Sequence, residues 1–393
     1  MKMRNTLFAL FALVAGVATA QVTTESAGGK EASLFERIAK IEKKSDRFNL
    51  YFNMHYAFDA DFNSAGGFEQ GTFNMHQFRI EAKGKVNNWL SYRWRQRLNR
   101  CNDGGGMIDN LPNSIDIASL TFGVTDKFSI SAGKQCAAYG GIEYDLNPIE
   151  IYQYSEIINN MSNFMSGVMF TYDFTPNQQL AFQVLDSRND SIEDTYGNNL
   201  AANKLPLLYT LNWNANMFDG VWQTRWSASV MDEVKGKYMY YVALGNQFNF
   251  SPKCNMFVDL MSSYENIDRK GIMTNMLGGQ ANFNGHNMYN TLYNSLVAKV
   301  NWRFCPKWNF FVKGMLESAA ICGGKDGYAD GNYRTSVGYL TGVEYYPMES
   351  NLHLFLTFVG QSHLFTERAK ALGQSDYSTQ RVSLGFIYQL PAF

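Results

Sequence analysis

Apolar and polar residues alternate with a period of two along much of the chain, in runs of ten to fifteen residues. From Phe48 the even positions read Phe48, Leu50, Phe52, Met54, Tyr56 and Phe58, while the odd positions read Asn49, Tyr51, Asn53, His55, Ala57 and Asp59. Successive side chains of a strand point to opposite faces, so this run predicts a strand with one face apolar along its whole length. Further on, Leu90, Tyr92, Trp94 and Leu98 alternate with Ser91, Arg93, Arg95, Arg97 and Asn99. Strands of soluble proteins are usually about half as long. This length suits tilted strands that cross a bilayer.

The same pattern predicts sixteen strands, at residues 47–59, 72–86, 88–100, 115–124, 127–137, 165–174, 178–187, 206–215, 220–231, 237–250, 254–265, 291–304, 307–319, 333–347, 350–364 and 378–390. Seven tight turns, among them Thr175-Pro176-Asn177 and Ser251-Pro252-Lys253, alternate with eight longer connections, of which only Asp232 to Gly236 is short. An even strand count with alternating short and long connections predicts an all-β, sixteen-stranded antiparallel transmembrane barrel with short periplasmic turns and long outer loops. A barrel of sixteen strands is too wide for side chains to fill, so its inner face should be polar and its apolar face should meet lipid. Trp89, Tyr92, Trp94, Trp302, Trp308, Tyr345 and Tyr346 then fall near strand ends as interfacial anchors.

Composition agrees with export. Lys2 and Arg4, the apolar run Leu7 to Val14 and Ala18-Thr19-Ala20 match a secretory signal peptide over residues 1–20. A periplasmic arm over 21–46 follows, in which Leu34, Ile38 and Ile41 predict a short helix at 31–44, and the barrel fills 47–393. The terminal aromatic Phe393 is the usual mark of barrels handled by the outer-membrane insertion machinery. The chain has 34 basic and 35 acidic residues, a balance with no global field for nucleic acid. Five cysteines are too odd a number for a complete disulfide framework, although Cys254 and Cys305 are candidate neighbours. No Cys/His metal spacing or cofactor motif stands out. Asp186, Asp190 and Asp194, and the loop from Gly323 to Asp330, are explained as turns rather than calcium ligands.

The charged positions of the predicted lumen face carry the transport chemistry. Arg79, Lys83 and Lys85 on the second strand oppose Arg93, Arg95 and Arg97 on the third, with Glu81 the one acid among them. Like charges in adjacent rows repel, and a conducting wall gives a reason for bearing that cost. Adding Arg225, Lys299, Arg303, Lys313 and Arg381 against Asp173, Asp259, Glu317 and Glu344 makes eleven basic to five acidic lining residues. Rows of Arg and Lys select for anions. The third long connection, Ala138 to Met165, holds Glu143, Asp145, Glu150 and Glu156 with no Lys or Arg, and too many apolar residues for a solvated loop. Folded inward, its acids would face the basic wall of the second and third strands and set a transverse field at the constriction.

Ala132-Gly133-Lys134-Gln135 through Tyr139-Gly140-Gly141 and Glu143, then Asn147-Pro148-Ile149-Glu150-Ile151-Tyr152, resembles the strand-into-loop motif of the phosphate-selective porin O and P family. The resemblance implies a porin, often a homotrimer, with a constriction loop here and an arginine ladder, which maps onto Arg93, Arg95 and Arg97. The expectation is an outer-membrane channel of a Gram-negative bacterium for small polar solutes, leaning mildly to anions. A phosphate- or other anion-specific channel and a surface or secreted adhesin are the alternatives. An enzyme is not expected: His55 and His76 lie on neighbouring strands with Asp59 beyond, but no GxSxG or HExxH sequence accompanies them.

Overall fold

A computed structural model describes residues 45–100, 109–324 and 327–392. The expected signal peptide, the expected helix at 31–44, Cys101 and Phe393 lie outside the described residues. Sixteen strands form one closed antiparallel barrel. In order they are β1 (Asn49–Phe62), β2 (Phe68–Lys85), β3 (Leu90–Arg97), β4 (Ile115–Gly123), β5 (Phe128–Cys136), β6 (Phe164–Thr175), β7 (Gln178–Asp186) and β8 (Leu207–Met217). Then follow β9 (Trp222–Asp232), β10 (Tyr238–Ser251), β11 (Cys254–Ile267), β12 (Tyr289–Cys305), β13 (Trp308–Ile321), β14 (Gly331–Tyr345), β15 (His353–Phe365) and β16 (Tyr377–Pro391). Every predicted strand is present. Each strand pairs with its sequence neighbours, and β1 closes on β16 from Tyr51 opposite Pro391 to Phe62 opposite Gln380. Closure leaves no row of unpaired amides, which hydrocarbon would not tolerate. No helix among the described residues is long and apolar enough to cross a membrane.

The faces follow the alternation. On β1, Asn49, Asn53, His55 and Asp59 are buried in the interior, while Phe58 on the other face is exposed. On β13, Asn309, Phe311, Lys313, Met315, Glu317 and Ala319 are buried, and Phe310, Val312 and Leu316 between them are exposed. The outer surface is therefore apolar, and Trp89, Trp302 and Trp308 are exposed on it near the short turns. Tyr346 departs from the expected girdle. It follows Tyr345 and so takes the opposite face, where its hydroxyl donates to Glu344 at 3.1 Å.

Three further expectations are corrected. The first loop is short, because β2 starts at Phe68 and pairs with β1 up to Phe62, so only five residues connect them. Gly66, Gly67 and Gly71 and the acidic residues around them conceal that extension in the sequence. Cys254 lies opposite Trp302 rather than Cys305, and both are free thiols. The interior is not wetted throughout. Leu185, Leu208, Met239, Tyr241, Phe257, Met261, Tyr293 and Met315 on the inner faces of β7, β8 and β10–β13 form one apolar core with residues of two long connections, L3 (137–163) and L6 (268–288). These loops supply a second layer that sixteen strands alone lack, and apolar inner positions become favourable where the layer covers them.

Candidate pore constriction

The inward faces of β2 and β3 bring the basic residues together in register. Arg79 lies opposite Arg97, Glu81 opposite Arg95, Lys83 opposite Arg93 and Lys85 opposite Ser91. Two carboxylates hold this set. Glu81 pairs with Arg93 at 2.8 Å and Lys83 at 3.8 Å. Asp116 on β4 receives three arginines: Arg97 at 2.8 Å, Arg79 at 3.2 Å and Arg95 at 3.4 Å. Five bases thus share two acids, and a positive excess remains. Arg95 and Arg97 also stack over the Phe164 ring, at 5.3 and 5.5 Å.

Sequence parity misses Asp116 for a physical reason. Leu120, Ala118 and Asp116 share one parity, which would point Asp116 at lipid. A register shift intervenes: Arg95 pairs with Ile117 and Gln96 with Ile115, leaving Asp116 as the extra residue of a bulge. A bulge redirects the side chain it carries, here into the interior, where Asp116 is 1 % exposed. A second bulge, at His55 and Tyr56 against Gln77 and Met75, likewise makes His76 the extra residue of β2. His76 then reaches Asp59 at 2.8 Å, and the His55 and His76 rings lie 5.0 Å apart. The group read from the sequence is assembled, but the hydroxyl of Ser383 donates to Asp59 and not to either histidine.

Exposure separates the wall residues by role. The side chains of Arg93, Lys83 and Arg97 are 46 %, 26 % and 18 % exposed, against 3 % for Arg79 and 8 % for Arg95. The first three reach the open interior, and the last two lie buried behind them. Lys85 is exposed beside the first short turn. Arg225, on β9, sits apart from this wall.

L3 crosses the inside of the barrel and is fastened to the opposite wall. Its helix α1 (Ile142–Asp145) begins where the backbone amides of Ile142 and Glu143 each donate 2.8 Å bonds to Asp259 of β11. Close approach needs Gly245 of β10, since a side chain there would meet Gly141 Cα at 2.7 Å. Glu143 pairs with Lys313 and accepts from Ser155 Oγ at 2.7 Å. Asp145 pairs with Arg225 at 3.1 Å. Glu150 lies 3.9 Å from His353. Glu156, which opens helix α2 (Glu156–Asn159), pairs with Arg334 at 2.6 Å, and its amide donates to Glu317 at 2.6 Å. Tyr152 stacks on Phe311 at 5.1 Å and donates to Glu344 at 2.9 Å.

The four acids therefore face β9, β13, β14 and β15, not β2 and β3. The expected transverse field is corrected accordingly: Glu143, Asp145 and Glu156 pair with Lys313, Arg225 and Arg334 of their own side, and a positive excess stays on the β2–β3 wall. Arg334, absent from the predicted lumen set, is inward by the same parity as Ser336. Lys299 is held over the Phe311 ring at 4.6 Å, and Arg303 over Tyr346 at 4.8 Å. Among the described residues no cluster of three or more His, Cys, Asp and Glu fits a metal ion. Asp186 is engaged by Arg188, and Asp194 by Ser191.

Asp145 is 44 % exposed and is the counter-charge of Arg225. Asp145→Asn should leave Arg225 unmatched and raise anion preference, read as a shift of the reversal potential in a salt gradient; an unchanged reversal potential counts against the assignment.

Residues 48–390 match the family profile described as phosphate-selective porin O and P. No curated protein sequence matches the chain. Among solved structures, the outer-membrane channel DcaP of Acinetobacter baumannii has a TM-score of 0.57 at 12 % identity, over 87 % of this chain and 97 % of that one. An anion-selective porin from Comamonas acidovorans has a TM-score of 0.55 at 10 % identity, over 87 % and 99 %. The trimer form of OmpT from Vibrio cholerae has a TM-score of 0.51 at 11 % identity, over 87 % and 100 %. At these identities the structures speak for the fold alone.

Proposed function

Because the chain belongs to the phosphate-selective porin O and P family, an outer-membrane porin of a Gram-negative bacterium, we propose that its channel passes small polar solutes and ions passively with a preference for anions. One observation carries the preference: on the β2–β3 wall five bases share two acids. Rows of guanidinium and ammonium groups raise the local concentration of anions and repel cations. Three bases of the far side, Arg225, Lys313 and Arg334, are matched by L3 acids and add little.

In this reading the short turns face the periplasm, the long loops face outward, and L3 narrows the route toward the β2–β3 wall. The exposed Phe58 and Phe73, whose rings meet at 4.9 Å, belong to the lipid-facing or subunit-facing surface. The assembly is a homotrimer, as in the trimer form of the Vibrio cholerae protein. A dedicated phosphate site has less support. L3 carries no basic residue, and Lys237 of the short fifth loop is held over the Tyr289 ring at 4.8 Å.

Replacing Arg93, Arg95 and Arg97 with glutamine leaves Arg79 and Lys83 against Asp116 and Glu81, a neutral wall. The expected result is loss of anion preference, with the reversal potential in a salt gradient moving to the value set by ion mobilities. An unchanged reversal potential would defeat the assignment. Phosphate added to the parent channel tests the specific alternative, which predicts block at low concentration.

A further inference from the structure

We propose that the cavity between the L3 segment 151–154 and the inner faces of β1, β2, β15 and β16 is a binding station for a small hydroxylated carboxylate, about the size of one six-membered ring. The proposal rests on the channel reading, since the station lies beside the route through the barrel.

The cavity has a volume of about 150 Å³, a space that accommodates a single ring. Three of its lining side chains hold a buried polar atom that no other protein group satisfies: Arg381 Nε, Thr357 Oγ1 and His55 Nδ1. Thr357 is 2 % and His55 3 % exposed, so neither is free to turn toward bulk water. Native proteins rarely leave such atoms unpaired, and three around one cavity mark a place for an oxygen-rich molecule.

The chemistry of the three atoms selects the class. Arg381 brings a permanent positive charge and a donor, which match a carboxylate. Its Nη2 is tied to the Tyr152 carbonyl at 2.8 Å, so the guanidinium is held in place while Nε stays available. Asp59, the acid beside it, is already engaged, accepting from Asn74 at 2.9 Å, Ser383 at 2.6 Å and His76 at 2.8 Å. The Thr357 hydroxyl both donates and accepts, and a ring nitrogen of His55 does either according to its tautomer, so these two suit hydroxyl groups. The Tyr152 ring forms one wall. Stacking on Phe311 and the bond to Glu344 fix it before any ligand arrives, as a binding surface requires.

The station also adjoins the basic wall. Gln77, another lining residue, lies opposite His55 on the face where Arg79 lies opposite Asn53. An anion drawn along the arginines arrives at the cavity mouth. A bare inorganic anion would use Arg381 but leave Thr357 and His55 unpaired, and a neutral sugar would leave the guanidinium unpaired.

Single-channel recording with D-glucuronate as the probe, against acetate and methyl glucoside, tests this directly. Glucuronate is expected to interrupt the chloride current at concentrations at least about tenfold lower than either control. Arg381→Gln and Thr357→Val, each verified as folded by heat-modifiable migration, should each raise the half-blocking concentration about tenfold or more. Open channels that glucuronate does not interrupt, acetate as effective as glucuronate, or unchanged block in Arg381→Gln would overturn the station and leave the channel reading standing. Channels that do not conduct would overturn the channel reading. Calorimetric titration of the folded parent protein in detergent with the same three probes then decides the station separately: preference for glucuronate supports it, and no binding overturns it.

Discussion

Asp116→Ala is expected to lower the stability of the folded barrel by about 3–5 kcal/mol, the range found when one partner of a buried ion pair is removed. Asp116 is 1 % exposed and is the shared partner of Arg79, Arg95 and Arg97. Its loss leaves two of those arginines, Arg79 and Arg95, buried with no carboxylate in contact, and all three repelling one another. Lumen water can solvate Arg97, the most exposed of the three, but not Arg79. Asp116→Asn keeps the shape and one acceptor, so its effect should lie between the parent and Asp116→Ala. The check is the temperature at which unboiled protein loses its folded band on a gel. An unchanged midpoint would mean that lumen water already stabilises the three arginines. Channels that survive should prefer anions more strongly than the parent, because one of the two wall acids is gone. A stability loss without that gain would separate a structural role from an electrostatic one.

Lys313→Met should destabilise the inward seat of L3 by a similar amount, about 3–5 kcal/mol, and show itself in conductance more than in barrel melting. Lys313 is 4 % exposed and holds Glu143, itself 0 % exposed, and donates to the Gln153 carbonyl at 2.6 Å. Without it the Glu143 carboxylate is left in the interior with only Ser155 as a partner. The loop relieves that cost by leaving its seat, which opens the constriction. Larger and noisier single-channel currents are the expected result, with new protease cleavage within 137–163. The barrel ladder has no part in this pair, so its melting should change less. Lys313→Met combined with Glu143→Gln removes the unpaired charge and should recover most of the parent behaviour, and the cycle of single and double variants gives the coupling. A Lys313→Met channel with parental conductance and noise would assign the seat of L3 instead to the Asp259 cap and the Glu156 contacts.

What the sequence by itself determined is the part governed by local periodicity. Side chains of a strand alternate faces regardless of tertiary context, so sixteen runs of period two specify sixteen strands, their inner and outer faces, and the meeting of Arg79, Lys83, Arg93, Arg95 and Arg97 on one wall. Tight turns fix antiparallel neighbours, and an inserted third loop follows from apolar residues that solvent would not accept.

Only the tertiary structure decided where parity breaks and what lies across the barrel. Bulges at Asp116 and His76 insert one residue into the ladder, and the sequence around them has no local feature that reveals a slip of one position. The partners of Glu143, Asp145, Glu150 and Glu156 come from strands more than a hundred residues away or on the far side of the closed sheet, and the charges that L3 meets depend on the direction in which it crosses. The inner apolar residues from Leu185 to Met315 break an alternation that would otherwise keep the lumen polar, and only the presence of L3 and L6 above them makes burial there favourable. Local stereochemistry sets the faces of a strand, whereas charge balance and burial in a barrel interior depend on which distant segments share that interior.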